Sequence, residues 1–119
     1  DQMEWDAKQS ITHLTIEELH EQGLKESIKT IRKKLDPKIP YYLSFDIDGI
    51  DPAYAPGTGT PVVGGLTSFE ALQFVRGLAG LNFIGFDLVE VSPAYDHAEI
   101  TSLLASALMF EFMTLAALD

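Results

Sequence analysis

Cysteine is absent from the 119-residue sequence. Its absence removes disulfides, thiolate metal sites and thiol nucleophiles together, and agrees with a reducing compartment. Positive charge is scarce as well: of eight Lys and Arg residues only Arg76 follows Tyr41, while 18 Asp and Glu residues bring the formal net charge to −10. Such an acidic field repels nucleic acid and anionic lipid and attracts cationic ligands and divalent metals, so neither nucleic-acid nor membrane partners are expected. Long apolar runs are also missing. Within the last helical stretch, about His97 to Leu118, Glu111 breaks the apolar run and leaves it shorter than the roughly 20 residues of a membrane span. The chain opens without the basic, apolar and small-residue succession of a secretory signal, so a cytoplasmic setting is expected. Its first residue is Asp1 rather than Met, which leaves room for a targeting sequence upstream.

What is present is a packed sequence, 46% hydrophobic, of a size that suits one folding unit over residues 1–119. Ile11 to Leu14 could make a short strand. Thr15 and Glu18 fit a capping box, and Ile16, Leu19, Leu24, Ile28, Ile31 and Leu35 trace one face of an amphipathic helix over 16–35. Pro37 and Pro40 close it, with the Lys and Arg cluster of residues 29–34 at its solvated end. Tyr41 to Ile47 reads as a strand buried on both faces. Thr67 and Glu70 predict a second capped helix reaching about Gly80, Asn82 to Val91 another buried strand, and Asp96 with Glu99 a third capping box before a last helix over about 97–118. Strands alternating with helices in this order predict an α/β fold, a parallel doubly wound sheet with helices on both faces. Ligands in such sheets bind outside the carboxyl ends of the strands. Asp46, Asp48 and Glu90 all lie at those ends, where one cleft could collect them.

The chemistry concentrates in Tyr41 to Thr67, YYLSFDIDGIDPAYAPGTGTPVVGGLT. Residues two apart in a strand share a face, so Asp46 and Asp48 are expected to project together. Two carboxylates so close within an apolar strand call for a cation. An EF-hand loop is excluded, because its fifth, sixth and twelfth positions would be Ile50, Asp51 and Gly57. Asp51 before Pro52 reads as a turn former, Asp87 as a structural hydrogen-bonding residue and His97 as part of a helix start. Gly57, Gly59, Gly64 and Gly65 read as supplying tight backbone geometry rather than a phosphate cradle.

The run S-F-D-I-D-G-I-D-P-A-Y-A-P-G-T-G-T-P-V-V-G-G-L-T closely resembles a signature of the ureohydrolases, the family of arginase, agmatinase and guanidinobutyrase. The likeness continues through G-F-D-L-V-E-V-S-P-A-Y-D-H-A-E-I-T-S-L-L-A, where the P-A-Y-D-H-A-E-I-T segment is most similar to agmatinase. The resemblance implies the carboxyl-terminal part of an arginase-like α/β/α fold. It implies that Asp46 and Asp48 are ligands of a binuclear manganese site, and that Glu90 pairs with the guanidinium of a small cationic substrate beside Thr60. It further implies hydrolysis of agmatine to urea and putrescine, as in polyamine biosynthesis, by a homo-oligomer, trimer or hexamer. The family's Gly-Gly-Asp-His and Asp-Ala-His-x-Asp segments, which carry the histidine ligands and remaining aspartates, do not occur here, nor does its acid/base histidine. No catalytic residue is therefore assigned within this chain, which is expected to need a missing amino-terminal part and to be inactive alone. Two other readings stand beside it. Phe45-Asp46-Ile47-Asp48-Gly49-Ile50 approaches the D-x-D-G-T motif of haloacid dehalogenase-like phosphatases, although Ile50 replaces the hydroxyl residue and no Lys follows Lys38. A non-catalytic structural or interaction remnant is the other.

Overall fold

Thr15 and Glu18 exchange side-chain to backbone hydrogen bonds of 3.2 and 2.8 Å, so the capping box forms and opens α2, Ile16–Gln22. The computed structural model describes residues 2–118 and places a short helix α1, Gln2–Lys8, ahead of it. Residues 11–15 join no sheet, and the strand expected at Ile11 to Leu14 does not form. The Ile11 N–H turns back to the Asp6 carbonyl at 3.1 Å instead of reaching a strand edge. The single helix expected over 16–35 is two helices. Gly23 takes φ 84° and ψ 155°, a region essentially closed to other residues, and thereby ends α2 and starts α3, Leu24–Lys34.

The basic end of α3 is more than a solvated face. Arg32 donates to the carbonyls of Gly77 and Ala79 at 3.0 and 2.8 Å, satisfying acceptors just beyond α4, Ser68–Arg76. Thr67 and Glu70 form the second capping box at the start of α4, and the helix stops at Arg76, four residues before the predicted end, with Gly77 to Gly80 in turns.

α4 connects β1, Tyr41–Asp46, to β2, Phe83–Val89, and the two strands pair in parallel with Leu43 opposite Phe86, Phe45 opposite Leu88 and Asp46 opposite Val89. This is the expected α/β architecture. The strands are not buried on both faces, however: Leu43 and Phe45 pack on the core, while Tyr42, Ser44 and Asp46 are exposed on a face that no described helix covers. Helix α5, Ile100–Ala117, packs on β2 and α4. By length and composition it could cross a membrane; Leu104, Leu108, Phe112 and Leu115 are buried in the core, while Leu103, Phe110 and Met113 are exposed. The Phe112 ring lies 6.1 Å from that of Phe45 and 5.4 Å from that of Phe86, centroid to centroid, in tilted contacts that fasten α5 to both strands. Ile47, Ile50, Val75 and Leu108 are fully buried around it. The core thus lies directly beneath the carboxyl ends of the strands and fixes the loops that leave them.

Candidate metal and substrate site

β1 ends at Asp46, and the chain turns at once into a single 3-10 turn, Ile47–Gly49. The turn overturns the expectation that Asp46 and Asp48 share a strand face, because Asp48 has already left the strand. Ile47 is fully buried, and the Ile50 N–H donates to its carbonyl at 3.1 Å, closing the turn. Asp46 caps the turn, its Oδ1 accepting the Asp48 N–H at 2.9 Å. Asp48 is only 9% exposed. Its Oδ2 accepts the Thr60 hydroxyl, while its Oδ1 is buried with no partner among the described residues.

The long loop folds back over this turn. Val62 donates to the Asp48 carbonyl at 3.1 Å, Leu66 to that of Gly49 at 2.9 Å, and Asp51 to that of Leu66 at 2.9 Å. Asp51 is the turn former expected: its carboxylate accepts from Ala53 and Gly64 N–H groups at 2.8 Å each, and these two bonds hold its pKa below the usual carboxylate range. A Cβ at Gly57 would lie 2.8 Å from Asp96 Cβ and 2.9 Å from Thr101 Oγ1, so the residue is needed for close approach. Gly59 has open space around it and ordinary φ, and the steric explanation fails there.

Glu90 stands one residue beyond β2, next to the Asp46–Val89 pair of the sheet. It is exposed and left-handed, with φ 69°, and its carboxylate has no partner among the described residues. Its carbonyl accepts the Thr58 hydroxyl at 2.9 Å. Among the described residues no third carboxylate or imidazole joins Asp46 and Asp48 to complete a metal-binding group. The pair still has the chemistry of part of such a site: two hard oxygen donors on one turn, one of them a desolvated oxygen lacking a proton donor.

Asp87 is structural, as read from the sequence. It accepts from Ser44 at 2.6 Å and Tyr42 at 2.8 Å across the open sheet face, and these bonds, Ser44 foremost, lower its pKa. His97 contributes its backbone N–H to Asp96 at 2.9 Å. The sequence reading missed His20, whose ring Nε2 lies 3.1 Å from the Gly64 carbonyl and ties α2 to the loop. It also missed Thr58. The repeated hydroxyls in Gly57-Thr58-Gly59-Thr60 were the available signal for Thr58, whereas nothing local marks His20.

A sequence profile described as the arginase family matches residues 1–115. An agmatinase of Enterobacter sp. (strain 638) is 47% identical over 114 residues, 96% of this chain and 37% of that protein. A guanidinobutyrase of Pseudomonas aeruginosa is 50% identical over 109 residues, 92% of this chain and 34% of that protein. Among solved structures, proclavaminate amidino hydrolase from Streptomyces clavuligerus superposes with a TM-score of 0.93 at 42% identity, covering 98% of this chain and 38% of that one. Arginase from Bacillus caldovelox gives 0.85 at 32% identity, covering 92% and 38%. The chain therefore spans little more than a third of the length of these relatives.

Proposed function

The chain belongs to the arginase family, and from that membership we propose that it is the carboxyl-terminal part of a manganese-dependent ureohydrolase of agmatinase type. It acts together with an amino-terminal portion, in a homo-oligomer, on a small cationic guanidino substrate, with agmatine the first to test. The reading that residues 1–119 form a single unit of that larger domain goes with it. The observation that carries this proposal is the buried, unpartnered Oδ1 of Asp48 beside the carboxylate of Asp46. Family membership displaces the phosphatase alternative, which has no other support.

Asp46 and Asp48 would hold manganese, with the remaining ligands coming from outside this chain. Thr60 donates to Oδ2 of Asp48 and so fixes the rotation of that carboxylate, leaving Oδ1 free for a cation. It also lines the site beside the substrate. Glu90 offers a carboxylate without a competing partner among the described residues, a shape that accepts two parallel N–H donors from a guanidinium. Manganese, when bound, supplies the Lewis acidity that makes water nucleophilic near neutral pH. The net reaction adds water at the guanidinium carbon and breaks its bond to the substituted nitrogen, giving urea and the amine.

The test uses the complete polypeptide carrying this segment. Asp48→Ala should lose manganese on dialysis and urea release together, whereas Glu90→Gln should retain manganese yet lose about 2–5 kcal/mol of substrate-linked stabilisation. Metal analysis and urea release on both variants decide the matter, and unchanged kinetics in Glu90→Gln would refute the guanidinium assignment. The isolated 119-residue chain should bind manganese weakly and release no urea, because two carboxylates leave most coordination positions to water.

A further inference from the structure

Two hydroxyls two residues apart connect the halves of the site. Thr60 holds the Asp48 carboxylate, and Thr58 holds the Glu90 backbone, donating to its carbonyl at 2.9 Å. Thr58 is only 4% exposed, so water competes poorly for that bond. The residues around it lock the same junction: Ser92 donates to the Gly57 carbonyl at 2.7 Å, and Gly57 donates to Thr101 Oγ1 at 2.8 Å in the buried interior. Glu90 needs such a hold, because φ 69° is rarely adopted by a residue with a Cβ and persists only where the surroundings over-determine it.

We propose that Thr58 is a positioning residue for substrate recognition: its hydroxyl keeps Glu90 in the left-handed conformation and thereby sets where its carboxylate stands relative to Asp48. Gly59 is the only residue between the two hydroxyl-bearing positions, so the Thr58–Thr60 segment acts as a spacer between the metal-holding carboxylate and the guanidinium-holding one. The inference rests on the reading of Glu90 as the guanidinium partner. It goes beyond that reading in assigning a buried threonine, remote from the substrate, to the control of affinity.

The experiment compares Thr58→Val, Thr58→Ser and Glu90→Gln, singly and with Thr58→Val combined with Glu90→Gln, in the complete polypeptide. Thr58→Val keeps the shape and removes the hydroxyl. It should lower kcat/KM for the guanidino substrate about 10- to 100-fold, mainly through KM, as expected for a lost hydrogen bond that lets a binding group drift. Manganese content should stay at the wild-type level, and Thr58→Ser should recover activity to within about threefold. In the Glu90→Gln background the Thr58→Val effect should vanish, because the two residues act through one contact. Thr58→Val effects that multiply with those of Glu90→Gln overturn the proposal. So does a Thr58→Val enzyme with normal kcat/KM while Glu90→Gln is crippled, an outcome that leaves the guanidinium reading intact. A Glu90→Gln enzyme with wild-type kinetics removes both readings. Where Thr58→Val folds poorly, Thr58→Ala is read against Thr58→Ser, and equal KM values in those two variants overturn the proposal.

Discussion

Asp96 gathers the start of α5 around one carboxylate. It accepts the N–H groups of His97, Thr101 and Ser102 at 2.9, 3.0 and 3.0 Å, and the Ser102 hydroxyl at 3.1 Å. Burial works against its charge, but the bonds from Thr101, Ser102 and His97 outweigh that and hold its pKa far below the usual carboxylate range. A carboxylate with a depressed folded pKa adds stability above its unfolded pKa of roughly 3.9, and that stability is lost as pH falls through the folded value. Asp96→Asn should therefore lower the urea midpoint clearly at pH 7, and the gap to wild type should narrow as pH drops below about 4. A gap that is constant from pH 7 to pH 3 would show that the charge contributes nothing. The sequence marked Asp96 correctly as a helix-start residue but paired it with Glu99 in a capping box, which does not form. Ala98 and Glu99 instead turn left-handed, at φ 50° and 61°, so the carboxylate reaches Thr101 and Ser102 from further back. Three acceptor-to-donor contacts formed after that turn outweigh the local three-residue pattern. Asp48 teaches the same lesson: the carboxylate pair was visible, while the direction of Asp48 depended on Asp46 ending the strand and accepting its N–H to open a 3-10 turn.

At the level of elements, apolar periodicity and capping pairs marked the helical stretches α2 to α5, and short apolar runs marked both strands. What it could not fix was continuity. The apolar series Ile16, Leu19, Leu24, Ile28, Ile31, Leu35 takes a five-residue step between Leu19 and Leu24, and the extra residue, Gly23, marks the break. Gly23 donates to the Leu19 carbonyl at 2.9 Å and accepts from the Ser27 N–H and hydroxyl at 3.0 and 2.9 Å, closing one helix and opening the next. Gly23→Ala has room for its methyl group but not the backbone freedom. It should destabilise the protein by about 1–3 kcal/mol, the usual range for a strained backbone conformation, read as a shift in urea midpoint at constant slope. A neutral or stabilising result would mean that a continuous helix over 16–35 is accessible after all.

For the molecule as a whole, the unsatisfied surface points outward from the sheet and from α5. Tyr42, 62% exposed, stands on the uncovered sheet side, Ile84 is exposed where the β1–β2 register shifts, and Phe110, 68% exposed, belongs with Ile100, Leu103 and Ala107 to a second apolar stripe on α5, away from its core face. A helix apolar on all sides is normally enclosed, and an open sheet edge beside exposed apolar surface invites pairing. The sequence carried this information in the even spread of Leu, Met, Phe and Ala along residues 100–118, but not which stripe the described residues would cover. The chain spans only 37% of the length of an agmatinase it matches, and the amino-terminal portion proposed above is what would cover α5 and the sheet. The isolated chain should accordingly self-associate at micromolar concentration. Its net charge of −10 opposes that association at long range. The screening length falls from about 30 Å at 0.01 M salt to about 3 Å at 1 M, so the repulsion weakens and oligomers should grow as salt rises. Phe110→Lys, which puts a charge on the α5 stripe without touching the core face, should shift the distribution back towards monomer at every salt concentration. Sedimentation velocity across that salt range provides the measurement. A monodisperse monomer at high salt, or a Phe110→Lys chain that associates as strongly as wild type, would show that the exposed α5 face is not what drives assembly.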